Sequence, residues 1–413
     1  MKDQTLDIRQ KTKDQKLNTW VLSLFVLFIS RLFIPTYAFS QELIPFNEEI
    51  KSPRYAIGVI LPLSGKYAGF GEDALKGVLL AAGVFDRDAD MPVEVIVKDS
   101  KDDPYITSSA VTELAADSRV MAIIGPMLSI TASEAAKRAQ ELKIPIITLS
   151  QKEGLPQTGR YVFRNFLTQS MQARVVARFA ANVLKFKRFA IFYPDNPYGK
   201  GLAVPFKDEV RKNGGEVVAE GMYSEGQADF GHDIKKLFKV SETEKKEGRR
   251  TIKSFNPALS VDALYIPDYF DTVSLIVPNL AYFNIKGVKL LGSNGWNSQK
   301  LAELGGKYVE GSIFADGFFL RSTRYETRLF ADRFIKTYGI QAGILGAEAF
   351  DASSMTINLL REGKKNREAI TDGLARLRYF KGATGNITFD AEGDAIKELF
   401  ILTIINGEIV QIN

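Results

Sequence analysis

From Arg54 onward the chain alternates short runs of apolar, β-branched residues with longer stretches whose apolar positions recur at helical spacing. Tyr55–Leu61 (YAIGVIL) is continuous apolar sequence and reads as a strand buried on both faces, whereas Asp73–Phe85 has the amphipathic period of a surface helix. The alternation continues with a strand at Val93–Lys98, helix Ile106–Ala116, strand Val120–Ile124, helix Thr131–Leu142 and strand Pro145–Leu149. It then restarts with helix Met171–Leu184, strand Phe189–Tyr193, helix Leu202–Lys212, strand Glu216–Ala219, helix Phe230–Phe238, strand Ala263–Pro267, helix Thr272–Phe283 and strand Val288–Leu291. Apolar strands separated by helices of this length predict βαβ units and parallel sheets, and two rounds predict two doubly wound α/β lobes. Helical patterns at Arg324–Tyr338, Leu345–Leu360 and Arg367–Leu377 follow, then strand-like runs at Asn386–Phe389 and Leu399–Ile405.

Two segments depart from this pattern. Trp20–Ser30 (WVLSLFVLFIS) is apolar, preceded by basic residues and followed by Arg31, Leu32–Ile34 and the small residues Ala38 and Ser40. It is shorter than the roughly 20 residues of a spanning helix and reads as a secretory signal peptide over residues 1–40, cleaved near Ser40. A retained anchor is the alternative reading, because Arg31 interrupts the run. The second segment, Lys239–Ser260, is dense in charge and poor in large apolar residues, and is expected to be an exposed inserted loop.

Composition narrows the chemistry. In 413 residues there is no Cys and one His, His232, which removes disulfides, thiolate nucleophiles, zinc–thiolate sites and two-histidine metal sites. The net charge of +5 falls to about +2 without residues 1–40, too little and too dispersed for a nucleic-acid footprint. Gly69-Phe70-Gly71-Glu72-Asp73-Ala74 has the outline of a dinucleotide fingerprint. Seven residues, Pro62–Ala68, separate it from the strand, where the motif needs its first glycine almost at once. No cofactor is called for, and an enzyme is not expected.

More informative are polar groups at strand-to-helix junctions, where open α/β sheets bind ligands. Ser64 and Gly65 follow the first strand, and Ser129 and Thr131 open a helix after Ile124-Gly125-Pro126. Thr148 and Ser150 follow the fourth strand, Tyr198 follows Tyr193–Pro197, and Asp268, Tyr269 and Asp271 follow Ile266-Pro267. Each alone is better explained by a cap or turn than by a ligand contact; together, from two lobes, they suit a protein that closes around a ligand.

The stretches IGVILPLSGKYAGFGEDALKGVLLAA, VKDSKDDP, AIIGPMLSITASEAAKRAQELKIPIITLS, YPDNPYGKG, LLGSNGWNS and AEAFDASS, in this order, resemble the type I periplasmic binding proteins, in particular the leucine/isoleucine/valine-binding branch that serves ABC transporters. The resemblance implies two lobes joined by three crossings, late helices returning to the first lobe, closing strands to the second, and a small-molecule ligand between them. The expected division is residues 54–168 and 317–380 for lobe 1 and 169–316 and 381–413 for lobe 2, after a linker at 41–53; the inserted loop at 239–260 falls in lobe 2. It also implies a monomer in the periplasm with an ABC permease as partner. By position, Ser129 matches the serine that holds the ligand carboxylate, beside Thr148–Ser150, and Tyr198 and Tyr269 match the tyrosines of the second lobe. Three positions depart from an amino-acid binder: Phe70 stands where Tyr is common, Lys152 near a ligand-contacting Thr, and Asn294 where an acid pairs with the ligand ammonium. The phrase ILPLSGKYAGFG and the charged insertion are also similar to penicillin-binding protein activators, which implies an alternative role through protein–protein contacts.

Overall fold

The computed structural model describes residues 55–86, 93–247 and 249–413. The expected signal peptide and the linker 41–53 lie outside them. In chain order, the first elements are β1 (Tyr55–Leu61), α1 (Ala68–Ala81), β2 (Val93–Asp99), α2 (Pro104–Ala116), β3 (Val120–Ile124), α3 (Ser129–Leu142), β4 (Ile146–Thr148) and β5 (Val162–Arg164). They form a parallel five-stranded sheet of order β2-β1-β3-β4-β5. The next are α4 (Gln169–Asn182), β6 (Arg188–Pro194), α5 (Pro197–Lys212), β7 (Glu216–Tyr223), α6 (Gly231–Leu237), β8 (Val240–Glu247), β9 (Arg250–Pro257), β10 (Ala263–Ile266), α7 (Phe270–Tyr282), β11 (Lys289–Gly292), α8 (Gln299–Gly305) and β12 (Ile313–Asp316).

The chain then returns to lobe 1 with α9 (Tyr325–Tyr338), α10 (Ile344–Arg361), α11 (Arg367–Ala375) and the three-stranded sheet of β13 (Phe380–Gly382), β14 (Gly385–Phe389) and β15 (Ala395–Lys397). It closes in lobe 2 with β16 (Phe400–Ile405) and β17 (Glu408–Gln411). The second sheet has order β17-β16-β12-β11-β10-β6-β7, in which β16 alone runs antiparallel to its neighbours β12 and β17.

The return to lobe 1 has a local cause. A Cβ on Gly77 in α1 would stand 2.0 Å from the Gly346 carbonyl oxygen in α10, so the two helices approach at a distance only glycine permits. Arg367 fastens α11 by donating to the carbonyls of Val120, Ala115 and Asp117. Each main sheet is buried on both faces, which accounts for strands of uninterrupted apolar sequence.

Four features differ from the sequence reading. The strands β5 and β12 are not among the expected elements. Strand β14 does not join lobe 2: Ile387, Phe389 and Ala395 lie in the core cluster of Ile57, Val59 and Met355, so the last crossing follows Lys397 rather than residue 380. The segment Lys239–Ser260 is not a loop but an antiparallel hairpin, with eight paired positions from Val240↔Pro257 to Glu247↔Arg250. Its charges hid it, since a ribbon exposed on both faces has no apolar side to reveal the period of two.

Candidate functional site

The strand order places the candidate residues. In lobe 1 the topology reverses between β1 and β3, in lobe 2 between β6 and β10, and ligands of open α/β sheets bind beyond the carboxyl ends of such strands. Tyr198 follows β6, Tyr269 follows β10 and Ser129 follows β3.

The lobe 2 wall is built by mutual contact. The Asn196 side chain caps α5 by accepting from the Gly199 N–H at 2.9 Å, with Pro197 at the first helical position, which sets Tyr198 in the first turn. The rings of Tyr198 and Tyr269 stack, centroids 4.9 Å apart and planes 16° apart. The Tyr198 hydroxyl lies 3.1 Å from Ser293 Oγ and reaches Asn294 Oδ1 at 3.5 Å. Asn294 is fixed from behind by its N–H, which donates to Gln172 Oε1 at 2.9 Å. Under this wall the indole of Trp296, fully buried, donates to the Ile266 carbonyl at 3.0 Å and lies over Gly292, where a Cβ would meet the ring at 2.3 Å.

Asp268 stands directly before Tyr269 and is nearly buried; its carboxylate accepts from the Tyr223 hydroxyl at 2.6 Å and the Tyr269 N–H at 2.8 Å. Burial raises its pKa, and these two hydrogen bonds oppose that. Burial likewise raises the Tyr198 and Tyr269 phenols, so both remain hydroxyl donors at neutral pH.

The lobe 1 wall is different. Ser129 is exposed as the first residue of α3, whose N-cap position is Leu128 and carries no capping side chain. The first-turn N–H groups therefore lack a side-chain acceptor and, with the helix dipole, favour an anion. Lys152 adds a cation nearby: its ammonium donates at 2.6 Å to Ser133 Oγ, and Ser133 donates at 2.8 Å to the Ser129 carbonyl. Phe70, in the first turn of α1, is 54% exposed and stacks with Tyr67 at 6.3 Å. Thr148 and Ser150, expected beside the ligand, are fully buried. The Thr148 hydroxyl donates to the Phe163 carbonyl at 3.1 Å, and Ser150 Oγ accepts from the Lys152 N–H at 3.3 Å. Their side chains brace the loop.

Three groups escaped the sequence reading. Arg164, at the end of the overlooked β5, is buried and clamps the loop by donating to the Lys152 carbonyl at 2.6 Å and to Asp394 Oδ1 at 2.5 Å. Glu348 in α10 is the meeting point of the crossings. It accepts from the Leu167 N–H on the first crossing at 2.6 Å and pairs at 3.2 Å with Lys397 at the third, both charges buried. Asp316 opens the second crossing; its carboxylate accepts from Asn297 at 2.8 Å and the Gly317 N–H at 2.6 Å. Burial pushes Asp316 up to about 7 against those bonds, and the carboxyl of Glu348 adds to the rise. No local pattern marks a buried acid whose partner is 49 residues away.

The profile described as "Periplasmic binding protein" matches residues 54–408. The chain belongs to the periplasmic binding protein family, a family of solute-binding proteins. It is 24% identical over 363 residues to "Leu/Ile/Val-binding protein homolog 3" of Brucella melitensis, covering 86% of this chain and 92% of that one. Among solved structures it is similar to a putative branched-chain amino acid ABC transporter protein of Rhodospirillum rubrum, with TM-score 0.75, 20% identity, and coverage of 87% of this chain and 99% of the other. It is also similar to the branched-chain amino acid transporter substrate-binding protein of Streptococcus pneumoniae in complex with isoleucine, with TM-score 0.60, 24% identity, and 86% and 99% coverage. The fold is that of a type I periplasmic binding protein, and the family makes the chain a solute-binding protein. The comparisons give no support to a penicillin-binding protein activator.

Proposed function

We propose that the chain captures a small carboxylate ligand by closure of the two lobes about their three crossings and delivers it, as a monomer and without catalysis, to an ABC permease in the periplasm. Export through residues 1–40 is part of this reading. The observation that carries it is the unlike pair of walls at the switch points of the two sheets. Lobe 1 offers an uncapped helix N-terminus at Ser129 with Lys152 one turn away, which suits a carboxylate. Lobe 2 offers the flat, uncharged face of Tyr198 and Tyr269 with the Asn294 amide, which suits the rest of the ligand.

The names of the relatives make leucine, isoleucine and valine the first candidates. Asn294 argues for a ligand that does not need its amino group ionised, since an amide is a weaker partner for ammonium than a carboxylate, and the nearby Asp268 carboxylate is already hydrogen-bonded inside the lobe. A thermal-shift and calorimetric series of branched-chain amino acids, their 2-oxo acids and aromatic carboxylates tests this. At about 100 times its dissociation constant a ligand stabilises the protein by roughly 2.7 kcal/mol, a clear shift. The 2-oxo acids are expected to bind at least as well as the amino acids. If leucine binds roughly tenfold tighter than its oxo acid, a 1.4 kcal/mol preference, the reading of Asn294 is wrong while transport stands. If no carboxylate shifts the protein, the carboxylate reading fails.

A further inference from the structure

The β8–β9 hairpin, inside the family match, is strongly charged and exposed on both faces. Its base is fixed. Phe255 packs against the rings of Tyr282 and Phe283 at 5.2 and 5.1 Å, and Lys235 lies over the Phe255 ring at 5.2 Å. Eight residues per strand carry the ribbon roughly 25 Å along its axis. Lower on the ribbon the charges are matched: Glu242 binds Lys235 and Lys253, and Glu244 binds Lys253.

At the tip the cations outnumber the acid: Glu247, opposite Arg250, binds Lys245. Lys246, Arg249 and Arg250 are exposed and make no ion pair among the described residues. By strand alternation Lys246 and Arg250 lie on opposite faces, and Arg249 lies in the connection. Ile252, 43% exposed, sits at the same level on the Arg250 face.

We propose that this tip docks on a bilayer bearing anionic phospholipid headgroups and tethers the protein to a membrane surface. A rigid finger with cations on both faces and an apolar side chain among them suits end-on entry into a headgroup layer, where every side of the tip meets phosphate. A protein surface would meet one face and leave the opposite cations in water. The tether leaves ligand capture free. The hairpin leads into the amino end of β10, whereas Tyr269 follows its carboxyl end, so the base of the hairpin and the candidate site lie at opposite ends of the sheet.

The test is vesicle flotation with the chain from Gln41 on, which contains the whole described fold without the apolar Trp20–Ser30 segment. The protein is expected to float with phosphatidylglycerol-containing vesicles, not with pure phosphatidylcholine, and to be released by high salt. The triple variant K246Q/R249Q/R250Q is expected to lose on the order of a hundredfold in partition, about fivefold for each cation. All three positions are exposed, so circular dichroism and the melting temperature should be unchanged; a variant that misfolds is replaced by the charge reversals K246E and R250E singly, read by the same flotation. Equal flotation of wild type and variant, or none by either, overturns the proposal and leaves the charges as guards of bare strand edges. Binding to polyglutamate but not to vesicles, lost in the variant, overturns it in favour of an acidic protein partner.

Discussion

The two walls of the candidate site are made in opposite ways. In lobe 2 the groups hold one another: Tyr198 stacks on Tyr269, reaches Ser293 and Asn294, and rests over a layer closed by Trp296. In lobe 1 the groups that meet solvent, Ser129, Lys152 and Phe70, stand largely apart, and the buried ones, Thr148, Ser150 and Arg164, serve to hold the loop. A prebuilt wall links ligand affinity to the stability of its own lobe, whereas a wall of exposed groups on a helix end can change its chemistry with little cost to the fold. Specificity is therefore expected to be adjusted on the lobe 1 side and rigidity kept on the lobe 2 side.

The strongest way to break the comparison is Trp296→Ala. Removing a fully buried indole and its hydrogen bond is expected to cost about 3–5 kcal/mol in urea unfolding and to weaken ligand binding in the same variant. Unchanged affinity with lost stability would show that the lobe 2 wall does not depend on its underlayer.

Next is a pH effect at the second crossing. Asp316, ordinarily near 3.8, is pushed by burial up to about 7, so between these values the folded state keeps a proton that the unfolded state has released. Stability is then fully present below about pH 4, falls as pH rises towards 7 and levels off above it, with a total on the order of 4 kcal/mol at most. The measurement is the difference between wild type and Asp316→Asn in unfolding free energy from pH 4 to 8. Parallel curves would remove Asp316 as the source.

Ser129→Ala sharpens the contrast from the lobe 1 side. It is expected to weaken binding of a carboxylate by about 1.5–3 kcal/mol and to leave stability within about 0.5 kcal/mol, because the side chain is exposed and makes no capping bond. Smallest is Tyr198→Phe, which keeps the stack and removes only the hydroxyl shared with Ser293. It is expected to cost about 0.5–1.5 kcal/mol in thermal or urea unfolding. A loss in Ser129→Ala stability larger than that of Tyr198→Phe would reverse the assignment of the two walls.

What the sequence determined by itself is the set of long elements and the polar residues at their ends. A strand covered on both faces must be continuously apolar, as in Tyr55–Leu61 and Val120–Ile124, and a helix against it must repeat at 3.6, so both leave a local trace. Tyr198, Tyr269 and Ser129 were legible as polar residues at strand-to-helix junctions, and the structure places them after β6, β10 and β3. The tertiary structure alone decided that the hydroxyls of Thr148 and Ser150 are buried, because β4 is flanked by β3 and β5 and Thr148 donates to Phe163 in β5, further along the chain. It also decided the three-residue strand β5 with its Arg164 clamp, the hairpin at Val240–Pro257, and the pairing of Glu348 with Lys397. Short strands earn their hydrogen bonds from neighbours far along the chain, a ribbon exposed on both faces has no apolar period, and a buried charge is tolerated only when its partner arrives from elsewhere in the fold.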